Sequence, residues 1–549
     1  MNDSIHTASP WYKTAVIYEL YVRGFQDSNK DGKGDFRGLI SRLDYLKDLG
    51  IDCIWLMPTY PSPGKDDGYD IMDYYGINPE YGTLDDFRML LHEAHNRDIK
   101  VICELVLNHT SDQHIWFQEA KKGPQSPYFE YYVWSDNPEI YKDAPIIFSD
   151  TETSNWTYCK DNGLYYWHRF FHHQPDLNYD NSKVREEMIN VIRFWLNMGL
   201  DGFRVDAVPY LFEREGTTCE NLPETHKFIK DARRIIDNEY PNTILLAEAN
   251  QWPEDLIKYF GDGDEFHMAF NFPLMPRLFM ALKLEQYNPI VEIMNRLPSI
   301  PDTCQWAMFL RNHDEMTLEM VTDEERDYMY RSYAEDKQMR INKGIRRRLA
   351  PLLGNDRKKI ELLYAILLTL TGTPVIYYGD EIGMGDNIYL GDRNGVRTPM
   401  HWNDNKNAGF SDAQPSRLYA PVITDPVYNY NSVNVEEDKN NNNSLFNWLK
   451  NLLHIRKTYH LFGNGKITFL YPDNKKILMY VIEHNDDQVL CVFNLSPSAQ
   501  PVEVNLGFIK NKIPVEIIGR VNFPPIGEIP YLLTPNGYGY YIFHLMDLK

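Results

Sequence analysis

The chain has 549 residues, too many for one minimal domain, and its 43% hydrophobic and 24% charged residues describe a globular protein rather than a disordered or fibrous one. The formal charge of -22, from 56 Lys and Arg against 78 Asp and Glu, excludes a basic nucleic-acid-binding surface and favours a neutral or cationic ligand. Aromatic residues, at 14%, are abundant enough to lend weak support to sugar stacking. Cys53, Cys103, Cys159, Cys219, Cys304 and Cys491 are scattered and form no Cys-x-x-Cys pair, which predicts reduced, mostly buried thiols. The stretch from Met1 to Trp11 is polar without a signal-peptide core, and no run of about 18 apolar residues offers a membrane span. The expectation is a cytoplasmic protein without nucleic-acid or membrane partners. The oligomeric state, a homo-oligomer included, stays open.

From residue 16 onward the pattern alternates between strand and helix. Strands are predicted at 16–25, 53–58, 100–109, 202–208, 243–250, 267–272, 306–314 and 374–381. Helices are predicted at 36–50, closing on Gly50, and at 84–98, 182–199, 224–240, 253–260, 289–297, 361–371 and 445–459. Eight strand-plus-helix units are the expectation for an α/β fold of the (β/α)8 TIM-barrel type. The irregular stretch 110–177, rich in Tyr, Trp, Asp and Pro, is too long for a plain connection and is expected to be an inserted subdomain. Two polar insertions follow, a helix-rich one at about 315–359 and a second at about 382–442. Residues 461–549 change to short strands with turns between them, which predicts a C-terminal antiparallel β-sandwich domain. The barrel itself is then 1–109 and 178–460.

Barrels of this kind place functional residues at the C-terminal ends of their strands. Strand three ends on Asn108 and His109, strand four carries Arg204 and Asp206 on one face, strand five ends on Glu248, and strand seven on His313 and Asp314. One buried ion pair in one strand is ordinary scaffolding. Three acids ending three strands instead predict a shared site in which at least one carboxyl pKa is raised, the pairing that glycoside cleavage requires. A loop at Asp27, Asn29, Asp31, Lys33 and Asp35 sets oxygen ligands at alternate positions, with Gly32 and Gly34 at the turn, which is calcium-loop chemistry without the distal Glu of an EF-hand. A solvated acidic turn is the alternative, and the metal is the preferred reading of the same residues.

These segments resemble the signature regions of the α-amylase superfamily, glycoside hydrolase family 13: 106–109, 202–206, 247–249 and 311–314, in order. Residues 174–178, beginning with Gln174, resemble the further signature of its oligo-1,6-glucosidase-like branch. Longer strings at 247–253, 261–264, 313–328 and 379–386 resemble the maltose α-D-glucosyltransferase (trehalose synthase) branch. The resemblance implies Asp206 as nucleophile, Glu248 as general acid/base and Asp314 as a holder of sugar hydroxyls. It implies that Arg204 keeps the nucleophile ionised and that His109, His313 and Gln174 lie among the substrate contacts. Tyr69 would stack on the non-reducing glucose and Asp66 would hold its terminal hydroxyls, with an Asp66–Arg397 clamp, Arg393 beside it, closing the cleft to all but disaccharides such as maltose and trehalose. It also implies structural Ca2+ at the 27–35 loop and, more weakly, at Asn108, Asp176 and Glu213 with the carbonyls of Tyr210 and Leu211. No organic cofactor is expected.

Three readings compete. The first is intramolecular conversion of maltose to trehalose with minor hydrolysis, the second an α-glucosidase, oligo-1,6-glucosidase or sucrose-isomerase-like enzyme, and the third a non-catalytic sugar-binding or transporter-associated domain. The two insertions are expected to supply lids. Glu315 and Glu319, four apart after Asp314, could gate the pocket, but their spacing reads first as a solvated helical face.

Overall fold

The computed structural model describes residues 9–548, so residues 1–8 of the polar N-terminal stretch and Lys549 lie outside the described residues. Eight parallel strands close into a barrel: β1 (Ile17–Leu20), β2 (Cys53–Leu56), β3 (Lys100–Val106), β4 (Gly202–Asp206), β5 (Ile244–Ala247), β6 (Met268–Phe270), β7 (Gln305–Phe309) and β8 (Thr373–Tyr377). Each pairs with the next, and Ile17 opposite Val375 shuts the ring. The near-continuous apolar sequence of these strands follows from burial on both faces, barrel interior and helical jacket.

The strands are shorter than the sequence pattern predicts, and their missing ends matter. β3 stops at Val106, β5 at Ala247 and β7 at Phe309, so Asn108, His109, Glu248, His313 and Asp314 stand just beyond the ladder, where side chains reach the mouth. The register of β3 and β4 sets Glu104 beside Arg204 and Val106 beside Asp206. Ala207, immediately after the nucleophile candidate, takes a left-handed φ of 51°, a strained turn for a residue with a Cβ. The expected first strand ends early, because Val22–Phe25 forms a single helical turn. The expected helix 36–50 breaks at Ser41 and Arg42 into Phe36–Ile40 and Leu43–Leu49, with Gly50 as its left-handed cap at φ 105°. Helix Met275–Leu284 has no counterpart in the predicted set. Eight of its residues are buried, so no amphipathic period marks it.

Residues 110–177 carry a three-stranded antiparallel sheet, Trp134–Ser135, Leu164–Trp167 and Trp156–Cys159; the bridge His109–Asp176 ties the segment to the barrel, and Tyr132–Leu177 is a bridge within it. After β7, Met316–Thr317 pairs with Gly344–Ile345, which pairs with Arg340–Ile341, and helix Asp323–Tyr333 lies in the connection between the first and last of these. Glu315 and Glu319 therefore flank a strand and do not share a helical face. At the C-terminus a six-stranded antiparallel sheet faces a two-stranded one, Val502–Val504 with Tyr531–Leu533. Strand Ile477–His484 alternates cleanly: Leu478, Tyr480 and Ile482 join the main core, while Ile477, Met479 and Val481 form a second core inside the terminal domain. All six cysteines are free and buried, as expected. Among the described residues no helix is long and apolar enough to cross a membrane.

Gly202 opens β4 where a Cβ would lie 2.4 Å from the Ile244 carbonyl oxygen. Gly202→Ala must push β4 from β5, at a cost of about 1–3 kcal/mol. Calorimetry is expected to show a lowered unfolding midpoint for the first transition.

Candidate active site

A cavity opens at the C-terminal mouth of the barrel, lined by Asp66, Tyr69, His109, Asp206, Glu248, Asp314 and Arg393 on one side and by Tyr210, Asn250, Thr317, Glu315, Glu319, Asn342 and Lys343 on the other. Its floor is organised by Arg204, which is 1% exposed. This guanidinium donates to Asp206 Oδ1 at 2.6 Å and to Glu104 Oε2 at 2.8 Å, and pairs with Glu248 Oε1. Three carboxylates share one cation, so they cannot all ionise at neutral pH. Burial raises Glu248 to about 8, opposed by Arg204 and reinforced by the charges of Asp206 and Asp314. Burial likewise raises Asp206, to about 6, with Arg204 pulling it back.

Asp314 has the opposite environment. Burial works against its charge, but His313, Arg393 and Arg397 outweigh that and hold it well below the usual carboxylate range. Both arginines donate to Asp314 Oδ1 at 2.9 Å. The predicted clamp needs correction here: Asp66 is bound by Arg393, at 2.7 Å, while Arg397 bonds Asp67, Asp314 and the His313 carbonyl. Arg393 sits on the cavity wall and reaches Asp66 and Asp314 together. Arg397 is 1% exposed and reaches Asp67 in place of Asp66. Gln174 donates to the other Asp66 oxygen at 2.8 Å. His109 is buried, its pKa pushed down to about 3 by burial, and its Nε2 has no partner among the described residues. It lines the cavity as a neutral imidazole.

Four residues of the site were not legible as such in the sequence. Glu104 and Glu19 are single acids in apolar strands, and an acid inside a fully buried strand pattern was the available signal. Asn250 donates to Thr317 Oγ1 at 3.1 Å and to Glu319 Oε2 at 2.7 Å, and Asn342 donates to Glu315 Oε1 at 3.1 Å. The solvated-face reading of Glu315 and Glu319 therefore fails: both line the cavity, Glu315 held from the insertion's hairpin and Glu319 from the loop after β5. The Asn342 backbone N–H donates to Asp150 of the inserted subdomain at 2.7 Å, joining the two walls.

The two sets of proposed calcium ligands differ in fit, and in the reverse of the expected order. In the 27–35 loop Asp27 accepts the N–H groups of Asn29, Lys30 and Gly32, Asn29 that of Asp31, Asp31 that of Lys33, and Asp35 those of Ser28 and Gly38. That loop is largely satisfied by itself. By contrast Asn108 Oδ1, Asp176 Oδ2 and Glu213 Oε1 are all buried without hydrogen-bond partners among the described residues, an unfavourable state for oxygen acceptors unless a cation takes them. Tyr210 and Leu211, whose carbonyls complete the set, lie on the turn just before Glu213. No group of three His, Cys, Asp or Glu side chains placed to hold a metal occurs among the described residues, and this set has only two acids.

A carboxylate pair from adjacent barrel strands, with a third acid lining the same cavity, defines a glycoside-processing (β/α)8 enzyme. The alpha amylase catalytic-domain model matches residues 19–465, and the maltogenic amylase C-terminal-domain model matches 467–542. The chain belongs to the alpha-amylase family. It is 58% identical over 557 residues to a trehalose synthase/amylase of Mycolicibacterium smegmatis, covering 99% of this chain and 94% of that protein. It is 56% identical to a trehalose synthase of a Pimelobacter species, covering 98% and 96%. Among solved structures it is similar to a trehalulose synthase from Pseudomonas mesoacidophila, with a TM-score of 0.79, 26% identity and coverage of 98% and 100%.

Arg204→Met leaves Glu104, Asp206 and Glu248 without their shared cation. The expected loss of stability is about 3–5 kcal/mol at pH 7. It shrinks at pH 5, where the carboxyls take up protons in its place. Denaturant titrations at both pH values check this, and an equal loss at both would contradict the shared-charge account.

Proposed function

We propose that the protein interconverts maltose and trehalose by intramolecular glucosyl transfer, as a maltose α-D-glucosyltransferase. The observation that carries the reading is the composition of one pocket: Asp206, Glu248 and Asp314 line it together with Asn250 and with Asn342 and Lys343 of the insertion, so polar groups from outside the barrel share the site with the acids. The names of the relatives at 56–58% identity support it.

In this reading Asp206 attacks the anomeric carbon of the non-reducing glucosyl unit. The bond to the leaving oxygen breaks, and Glu248 gives that oxygen its proton. The released glucose stays in the pocket, turns, and presents its anomeric hydroxyl. Glu248 takes that proton as the oxygen attacks the glucosyl carbon and the bond to Asp206 breaks. Two inversions retain the α configuration. Asp314, Asp66, Arg393 and His109, which line the cavity, hold hydroxyls of the glucosyl unit, and Tyr69 offers its ring face; the expected contacts from Gln174 and His313 do not reach the cavity, since both are fully buried and act instead through Asp66 and Asp314. Arg397 acts on Asp314 from behind. Water in place of the turned glucose gives the minor hydrolysis product, so a dry pocket favours transfer. The same proposal includes the division into a barrel, 1–109 and 178–460, a subdomain, 110–177, and a terminal domain, 461–549, and a cytoplasmic location. It further includes structural Ca2+ at Asn108, Asp176 and Glu213 with the carbonyls of Tyr210 and Leu211, and a lesser site at Asp27, Asn29, Asp31, Lys33 and Asp35. The cation would tie the subdomain to the barrel and takes no part in the chemistry.

Product analysis from maltose tests the reading. Mostly trehalose, abolished by Asp206→Asn, is the expected result, and glucose alone would make the protein an α-glucosidase. Activity requires Asp206 ionised and Glu248 protonated. It should therefore fall below pH about 6 and above pH about 8. For the metal, elemental analysis of purified protein is expected to find calcium, and Asp176→Asn to lower both its stoichiometry and the unfolding temperature.

A further inference from the structure

Beneath the cavity a hydrogen-bond chain runs from β1 to the nucleophile. Glu19 on β1 and His313 after β7 are both 0% exposed. One oxygen of Glu19 faces His313 Nδ1 and also accepts the His313 backbone N–H at 3.2 Å. On the far side of the ring, Nε2 lies 2.8 Å from the Tyr69 hydroxyl and 3.1 Å from Asp314 Oδ2. The Tyr69 hydroxyl lies 2.9 Å from Glu104 Oε1, which also accepts from Trp55 Nε1 at 2.8 Å. The other Glu104 oxygen accepts from Arg204, which also pairs with Asp206 and Glu248.

The Tyr69 hydroxyl has one proton and two neighbours that could take it. Arg204 and Trp55 already treat Glu104 as an acceptor, so the tyrosine proton belongs on Glu104. His313 Nε2 must then carry its own proton to meet the tyrosine oxygen and Asp314. Nδ1 must carry one as well to meet Glu19. Only the imidazolium satisfies both sides. We propose that Glu19 is a positioning residue that acts through His313: it holds the ring in the doubly donating form and so sets the direction of the chain from His313 through Tyr69 and Glu104 to Arg204.

The surrounding charges agree with this. Burial opposes the charged ring, but Asp314 and Glu19 together raise His313 to about 9. Glu104 faces it through Tyr69, Arg397 meets only its backbone carbonyl, and from β8 and beyond Tyr377 and Asp380 face Glu19. With a neutral ring protonated only at Nδ1, the tyrosine would turn its proton to Nε2, and its oxygen would oppose Glu104. Glu104 would lose a donor, and the charge shared through Arg204 would shift away from Asp206. Nothing in this depends on which product leaves the site, since the readout is total maltose consumed, but it does rest on maltose being a substrate.

Glu19→Gln tests it. The ring then loses a counter-charge and titrates within the working range. The alkaline limb of kcat is expected to move down by about one pH unit from the Glu248 limb. At pH 7.5 kcat should fall about threefold, and at pH 8.5 about eightfold, while KM changes less than about twofold. Glu19→Asp, which keeps the charge, is expected to restore the limb. An unchanged limb in a folded Glu19→Gln protein would overturn the proposal. Ring 15N spectra of His313 in the unmutated protein decide the matter even if the variant does not fold or maltose is not turned over. Two protonated nitrogens at pH 7.5 support the proposal, and a neutral single tautomer overturns it.

Discussion

One buried guanidinium holds the site together. Arg204 sits where strand register brings β3, β4 and β5 side by side, and it meets one carboxylate from each. Removing any of these charges from water costs several kcal/mol, and a lone ion there would not persist. The set is viable because one cation serves three acids and because one acid, Glu248, gives up its charge by keeping a proton. That proton is what the proposed chemistry uses. The arrangement is therefore both the condition for burying the carboxylates and the means of separating their roles. A barrel provides it because its strands run parallel, so their ends converge with fixed spacing.

The wall opposite solves the converse problem. Asp314 has cations on three sides, Arg393, Arg397 and His313, and stays ionised. Asp206, Glu248 and Asp314 are alike in chemistry and all buried. Their differences come from neighbours contributed by other parts of the chain: β3 and β4 for the first two, and the loop near residue 393 for the third. The same loop binds Asp66, and so the pocket's far end is closed by the group that also sets Asp314's charge. Shape and electrostatics at this end cannot be varied separately.

What was legible in the sequence follows from what repeats. Strand and helix periods expose eight units, and acids at strand ends break a local pattern sharply enough to be seen. Glu19 and Glu104 break the same pattern but sit inside strands, where one acid reads as an interruption rather than an ending. The exchange of partners between Arg393 and Arg397 could not be read, because both lie in a loop more than 300 residues from Asp66 and Asp67, and four residues apart on irregular backbone neither outranks the other. The strand Met316–Thr317 is two residues long, below any period, so Glu315 and Glu319 took the helical reading by default. Helix Met275–Leu284 failed for the opposite reason: it is buried nearly all round and shows no polar face.

The acids set what bond can be broken, and they do not choose what replaces it. In the proposed mechanism water and a retained glucose attack the same carbon and give their proton to Glu248. The choice falls to walls that belong to no barrel strand: Asn250 after β5, Glu315, Thr317 and Glu319 after β7, and the Asn342 turn that rests on Asp150. Their side chains are polar, which suits a sugar that must rotate while exchanging hydrogen bonds, since each orientation needs partners and none should bind too tightly. Two of them, Asn250 Oδ1 and Glu315 Oε2, are buried acceptors without partners among the described residues. Vacant acceptors cost least when a ligand brings hydroxyls to them, and a glucose held between these two has donors on every edge. On the proposed function, specificity for transfer is then a property of how the insertion and the subdomain meet through Asn342 and Asp150, on a catalytic floor that would serve hydrolysis equally well.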